Sequence, residues 1–146
     1  MTNALAIIIL AATLCGCSTA LVYTGSVKVG DNERAVVVSK IIEKEYVRQG
    51  LREDDFRTST GGTPNGDYYG AYYSTEWIKP VGNTRFMTLW VGNWVKDGTL
   101  FISIVPQPHC DDVSREFGEH MQSFMTNNLS GLQWNLVGRL EPDFDR

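Results

Sequence analysis

The chain has 146 residues and a formal net charge of −4, with 21% of its residues charged. An acidic chain with dispersed basic residues binds polyanions poorly, which argues against nucleic acid as a partner and against electrostatic attachment to anionic lipid. The length fits one ordinary domain and leaves little room for a second core.

The N-terminal region has the features of an export signal. Residues 4 to 14 form an apolar run without charge, and Leu14-Cys15-Gly16-Cys17 follows at its end. The run is too short to cross a bilayer as a stable helix, but it fits the apolar core of a signal peptide. The four-residue sequence resembles the lipobox of bacterial lipoproteins, in which Leu, a small residue and Gly or Ala precede the Cys that becomes lipidated. The resemblance implies cleavage before Cys17 and acylation of Cys17.

The lipobox resemblance divides the chain into three parts. These are a signal peptide over residues 1–16, a lipidated Cys and tether over residues 17–30, and a single α+β domain over residues 31–146. Two or more acyl chains would anchor the protein stably. In the lipoprotein class an Asp after the lipidated Cys favours the inner membrane, so Ser18 implies the outer membrane, facing the periplasm, in a Gram-negative cell. The alternatives are an ordinary secretory signal and an uncleaved apolar anchor, and all three place the domain outside the cytoplasm.

The cysteine content predicts a domain without an internal disulfide. After cleavage only Cys17 and Cys110 remain, and lipid blocks the thiol of Cys17. Removing 16 of 146 residues leaves 130, enough to bury a stable core without disulfides even in an oxidising compartment.

A first helix is predicted over residues 32–49. Asp31 and Asn32 are good N-cap residues, and Gly50 is a natural stop. Apolar residues at helical spacing predict one buried stripe. The buried stripe is expected to contain Ala35, Val38, Ile41, Ile42 and Tyr46, and the solvent side Lys40, Glu43, Lys44 and Arg48.

The middle of the chain predicts an antiparallel meander. Three segments rich in aromatic and β-branched residues, 68–78, 85–95 and 99–105, are separated by short turn sequences. A second helix is predicted to open at Asp111. The fold class is therefore α+β, an antiparallel meander of three to four strands with one helix before it and one after it packed on the sheet. Residues 51–58 and 132–140 are compatible with further strands, and residues 21–23 with either a first short strand or a tether.

The turn between the last two meander strands decides which side chains share a face. If Lys96-Asp97-Gly98 is a three-residue loop, Val95 lies opposite Thr99. One face then carries Met87, Leu89, Val91, Val95, Phe101 and Val105, and the other carries Phe86, Trp90, Trp94, Leu100, Ile102 and Ile104. Neither face is polar, so the sheet needs a cover on both sides or a partner on one.

Two groups of residues are candidate reactive sites. His109 and Cys110 stand before a helix start, where a thiol can become nucleophilic. Adjacent residues rarely place an imidazole productively against a thiol, and the carboxylates of Asp111 and Asp112 would raise the pKa of the thiol. We favour a small, partly buried Cys.

Glu116 and His120 are the second group, because they are four residues apart and share one helix face. His109 or Asp112 would have to complete a metal site, and we favour a solvent-side ion pair. The sequence therefore predicts no catalytic residue, no metal and no cofactor.

A cluster of aromatic residues is the candidate binding patch. It comprises Tyr68, Tyr69, Tyr72, Tyr73, Trp90 and Trp94. Exposed Tyr and Trp side chains on adjacent strands suit contact with a protein or a sugar chain, whereas a covering helix would make them core.

Three functions follow from the patch and the candidate sites. The leading function is a non-enzymatic envelope lipoprotein that binds another envelope or periplasmic protein, as an assembly component or as a neutraliser of a toxin or hydrolase. The alternatives are a module that binds peptidoglycan or another glycan, and an enzyme that uses Cys110 and His109.

The lipid anchor is testable by mass spectrometry of the mature N-terminus. We expect the mature chain to begin at an acylated Cys17. Cys17→Ser should leave an unlipidated or unprocessed protein, because serine cannot form the thioether that carries the lipid. An unmodified N-terminus at another residue would contradict the prediction.

Overall fold

The structure is a computed structural model, and it describes residues 19–54, 70–80, 88–107 and 111–142. Six strands and two helices occupy these ranges. In chain order they are β1 (Thr19–Lys28), α1 (Asn32–Arg48), β2 (Arg52–Glu53), β3 (Tyr73–Pro80), β4 (Thr88–Lys96), β5 (Thr99–Gln107), α2 (Asp111–Asn128) and β6 (Asn135–Pro142). Among the described residues, no helix is long and apolar enough to span a bilayer.

The strands form one antiparallel sheet in the order β2-β3-β4-β5-β1-β6. The α+β class and the meander of β3, β4 and β5 are confirmed, but the predicted count of three to four strands is too low. Strand β1 pairs with β5 and β6, which are distant in sequence. Local sequence does not show which distant strands pair, so the short apolar segments at the two ends of the chain are weaker evidence for strands than the central segments are.

The segment predicted to be a tether, residues 17–30, contains an interior strand. Strand β1 runs from Thr19 to Lys28 between two neighbouring strands. The sheet therefore includes residues 19–28, which the predicted division of the chain assigned to the tether.

Helix α1 begins and ends as its sequence predicts. The backbone N–H of Arg34 donates to the Asp31 side chain at 2.8 Å, which satisfies one of the free donors of the first turn. At the other end Gly50 has a φ of +83°, and the N–H of Leu51 donates to the carbonyl of Tyr46. The predicted span of 32–49 agrees with the observed helix within one residue.

The turn between β4 and β5 has two residues, and the prediction of a three-residue loop is wrong. Asp97 and Gly98 both have positive φ, 51° and 69°, as the twist-matched hairpin turn requires. Lys96 therefore lies opposite Thr99, and Val95 opposite Leu100. A shift of one residue moves every side chain of β5 to the other face.

The corrected register separates two faces of the sheet. The helix face packs against α1 and α2, and its buried apolar side chains are Val27, Trp77, Leu89, Val91, Val95, Leu100, Ile102, Ile104 and Leu136. The second face carries Trp90, Trp94, Phe101 and Val105. The core thus lies between one face of the sheet and both helices.

The tip of the β4–β5 turn is fixed against the start of α1. The N–H of Gly98 donates to the Asn32 side chain at 2.7 Å, and the N–H of Val29 donates to the Gly98 carbonyl at 2.9 Å. A Cβ on Gly98 would lie only 2.4 Å from the carbonyl oxygen of Gly30. Glycine is therefore required here both for the positive φ and for the close approach.

Because the two faces of the sheet differ in burial, an aspartate introduced on β4 should lower stability by different amounts on each face. Val91 is fully buried on the helix face, so Val91→Asp should lower the free energy of unfolding by about 3 kcal/mol or more, since it buries an unpaired carboxylate. Thr88→Asp, on the second face where the side chain is partly exposed, should cost less than about 1 kcal/mol. Chemical denaturation of both variants measures the difference, and equal losses would contradict the assignment of the faces.

Candidate functional site

The predicted aromatic patch does not form one surface in the described structure. Tyr73 lies on the helix face, whereas Trp90 and Trp94 lie on the second face. Tyr72, just before β3, is 59% exposed. The Tyr68-Tyr69 pair lies outside the described residues. Tyr73 is therefore on the other side of the sheet from the two tryptophans, because side chains alternate along a strand, and the placement of Tyr68 and Tyr69 stays a prediction.

Trp90 is a buried side chain and not a contact residue. It is 5% exposed, and Val22 and Glu76 on the same face are also buried. The part of the second face around Trp90 is therefore interior, which is the core alternative that the sequence left open for this residue.

Trp94 and Phe101 form a stacked pair at the accessible part of the second face. They lie directly opposite each other on β4 and β5, with ring centroids 5.3 Å apart and planes inclined by 9°. Both side chains are partly exposed. Phe101 was missed as a candidate because the three-residue loop placed it on the other face, and the Asp97-Gly98 dipeptide was the signal that would have corrected this.

Small polar residues flank the stacked pair. Ser74 pairs with Trp94 across β3 and β4, and Ser26 pairs with Phe101 across β1 and β5. We call these four residues the Trp94–Phe101 surface. Short side chains beside two large rings leave the ring edges accessible, so the surface can offer aromatic area together with hydroxyl groups.

A second group of polar residues lies buried between α1 and the sheet. The carboxylate of Glu43 accepts hydrogen bonds from the hydroxyl groups of Ser39 at 2.9 Å, Thr75 at 2.7 Å and Tyr73 at 3.0 Å. Glu43 is 7% exposed, so the prediction that it faces solvent is wrong. These hydroxyl donors offset the cost of burying the carboxylate, and sequence periodicity could not show them.

The hydrogen bonds continue from Ser39 into the core. The Asn93 amide donates to the Ser39 hydroxyl at 3.2 Å, and the hydroxyl of Tyr46 donates to the Asn93 carbonyl oxygen at 2.8 Å. Asn93 and Ser39 are both fully buried. The chain of bonds thus ties α1 to the middle of β4 through the core.

The electrostatics of this network favour a structural role. Burial raises the pKa of Tyr46, and burial together with the nearby Glu43 carboxylate raises the pKa of Tyr73. Both phenols therefore stay protonated and donate at neutral pH. The Glu43 carboxylate is occupied by three donors, which leaves it poorly placed to act as a base.

His120 bonds across the helices instead of pairing with Glu116. The imidazole Nε2 lies 2.8 Å from Glu45 Oε1, and this hydrogen bond is the main cause that lowers the pKa of Glu45. Because the folded-state pKa is lowered, the stabilisation is present above the ordinary pKa of the carboxyl and is lost as the pH falls through the lowered value. The Glu116–His120 pairing is therefore corrected to a contact between α1 and α2.

The remaining candidate sites are a metal site, the His109-Cys110 pair and a cleft at the start of α1. No group of three or more His, Cys, Asp or Glu side chains there is arranged to hold a metal ion. The His109-Cys110 pair lies outside the described residues. A shallow cleft at the start of α1, lined in part by Tyr72, contains Arg34 paired with Asp31 at 3.3 Å and Asn32 bonded to Gly98.

No protein-family model, no curated protein and no solved structure matches this chain. The resemblance of residues 1 to 17 to a lipobox lies outside the described residues and stays a prediction. Among the described residues, the Trp94–Phe101 surface is the candidate site with the most geometric support, because its two rings are stacked and partly exposed.

The buried network predicts that the same substitution at two glutamates changes the free energy of unfolding by different amounts. Glu43→Gln should lower the free energy of unfolding by about 1 to 3 kcal/mol, because the amide has one acceptor oxygen and turns an N–H₂ group toward hydroxyl donors. Glu119→Gln, on the exposed side of α2, should change it by less than about 0.5 kcal/mol. Urea denaturation compares them, and a Glu43 variant as stable as the control would contradict a structural role for the network.

Proposed function

We propose that this protein is a lipid-anchored protein of the cell envelope that binds another envelope or periplasmic protein and has no enzymatic activity of its own. The proposed contact is the Trp94–Phe101 surface. The observation that carries the proposal is the stacked pair itself, two large rings held 5.3 Å apart on adjacent strands with part of their area accessible.

Partly exposed, preorganised aromatic rings are favourable contact residues. Tyr, Trp and Phe are enriched in protein interfaces, and Trp is among the residues that most often dominate binding energy. A ring already stacked on a neighbour loses little conformational freedom when a partner binds. The stack also lies on regular strands, so its geometry is set by the sheet and not by a loop.

The polar groups of the described structure support binding over catalysis. The buried hydroxyls and the Glu43 carboxylate link α1 to β3 and β4, and the Glu45–His120 contact links the two helices. Each of these groups has a structural partner on another element. The proposal therefore assigns function to the aromatic surface and stability to the polar network.

The cellular location in this proposal comes from the lipobox resemblance. Acylation of Cys17 would hold the domain at a membrane, and Ser18 favours the outer membrane of a Gram-negative cell, with the domain in the periplasm. A partner would then be met within the envelope.

A glycan such as peptidoglycan is the second candidate ligand. The observation that favours it is the arrangement of hydroxyl groups from Ser74 and Ser26 beside the two rings. An aromatic platform with adjacent hydroxyls can stack on the apolar side of a sugar ring and hydrogen-bond its hydroxyls.

The surface can be tested by photo-crosslinking in intact cells. A photoreactive phenylalanine analogue at position 101 should give a discrete crosslinked product with an envelope protein. The same analogue at position 37, an apolar residue on α1 that is 60% exposed, is the matched control and should not. Trp94→Ala should then weaken binding of the identified partner by about 2 kcal/mol or more, roughly 30-fold in Kd.

The outcomes separate the two ligand classes. Products at both positions, or at neither, would contradict a protein contact at this surface. Co-sedimentation with purified peptidoglycan that is lost in Trp94→Ala would support the glycan instead. Thermal unfolding of each variant checks that the loss of binding does not come from loss of the fold.

A further inference from the structure

Strand β1 begins very close to the predicted lipid attachment site. Only Ser18 stands between Cys17 and Thr19, the first residue of β1. Two residues of fully extended chain span at most about 7 Å. Strand β1 is also an interior strand, paired with β6 from Thr19 to Ser26 and with β5 from Tyr23 to Lys28. The anchor would therefore join the sheet almost directly, at the part of β1 that is paired with β6.

We infer that one end of the sheet lies against the bilayer. This end, which we call the Thr19 end, is formed by the strand termini Thr19, Pro80, Thr88, Gln107 and Pro142, which the strand registers bring to the same side. The inference rests on the proposed function, because it requires the acyl chains on Cys17. With a connection of at most about 7 Å, Thr19 itself stays beside the lipid headgroups, and the other strand termini of this end are its neighbours in the sheet.

The helices meet the Thr19 end in opposite directions. Helix α2 begins there, where the Ser114 hydroxyl donates to the carbonyl of Leu21 on β1. Helix α1 ends there, where the Lys79 ammonium donates to the carbonyl of Gln49 at 2.6 Å. These bonds fix both helices to the strands at this end, so the domain is held at the bilayer as one body.

The proposed binding surface lies far from the Thr19 end. Phe101 pairs with Ser26, seven residues along β1 from Thr19. A strand rises 3.2 to 3.4 Å per residue, so the stacked pair lies about 23 Å along the strand from the anchored end. This distance exceeds the thickness of one headgroup layer, so the Trp94–Phe101 surface faces the aqueous side, where a soluble or membrane-bound partner can reach it.

Two labels on α2 test the orientation in the lipidated full chain. Asp112 and Asn127 are both exposed, and 15 helical residues separate them by about 22 Å. We would place a fluorophore on Asp112→Cys or Asn127→Cys in a Cys110→Ser background and insert each protein into phosphatidylcholine vesicles. Part of the lipid would carry a spin-label quencher on the headgroup. The label at 112 should lose most of its fluorescence, and the label at 127 should keep most of it.

The result that would overturn the inference is equal quenching at the two sites, or stronger quenching at 127, in protein whose Cys17 is acylated. Mass spectrometry of the same sample distinguishes a wrong orientation from a failure of the proposed function. An unmodified Cys17 would show that the lipid anchor itself is absent.

A spacer supplies the second control. Ten Gly and Ser residues inserted between Ser18 and Thr19 have a root-mean-square length of about 18 Å, so quenching at 112 should fall toward the value at 127. Unchanged quenching at 112 would show that the short connection is not what holds the Thr19 end at the membrane, and it would also overturn the inference.

Discussion

The turn at Asp97 and Gly98 is the constraint on which the rest of the structure depends. Positive φ at both residues makes a two-residue connection, and this sets Val95 opposite Leu100. The aliphatic side chains of β4 and β5 then collect on the helix face, while the large rings of Trp94 and Phe101 meet on the other. The same turn also contacts the start of α1, because the Asn32 side chain accepts a hydrogen bond from the N–H of Gly98.

The buried polar network gives the packing of α1 on the sheet its specificity. Apolar packing alone would tolerate sliding of a helix along a sheet, because it is not directional. The Glu43 carboxylate needs the hydroxyls of Tyr73 and Thr75 at 2.7 to 3.1 Å, and Asn93 needs both Ser39 and Tyr46. A shifted helix would leave these groups buried without partners, at about 1 to 3 kcal/mol each.

The position of β1 links the fold to the proposed function. Strand β1 is paired with β6 from Thr19 onward and with β5 from Tyr23 onward, and Thr19 follows the predicted acylated Cys17 after a single residue. Lipid attachment at this point would set the orientation of the whole domain relative to the membrane as well as its location. The aromatic surface that we propose as the contact site lies toward the other end of the same sheet, so anchoring and binding would not compete for space.

Local chemistry in the sequence determined the α+β class, both helices, the meander and the N-terminal resemblance, since caps, helical periodicity and turn residues act over a few positions. Tertiary structure decided the rest. The positions of β1 and β6 depend on strands distant in the chain. The burial of Glu43 depends on hydroxyls from β3, and Phe101 is a candidate contact residue only through its register with Trp94. Such partners are separated in sequence by tens of residues, and hydrophobic patterning does not encode which of them meet.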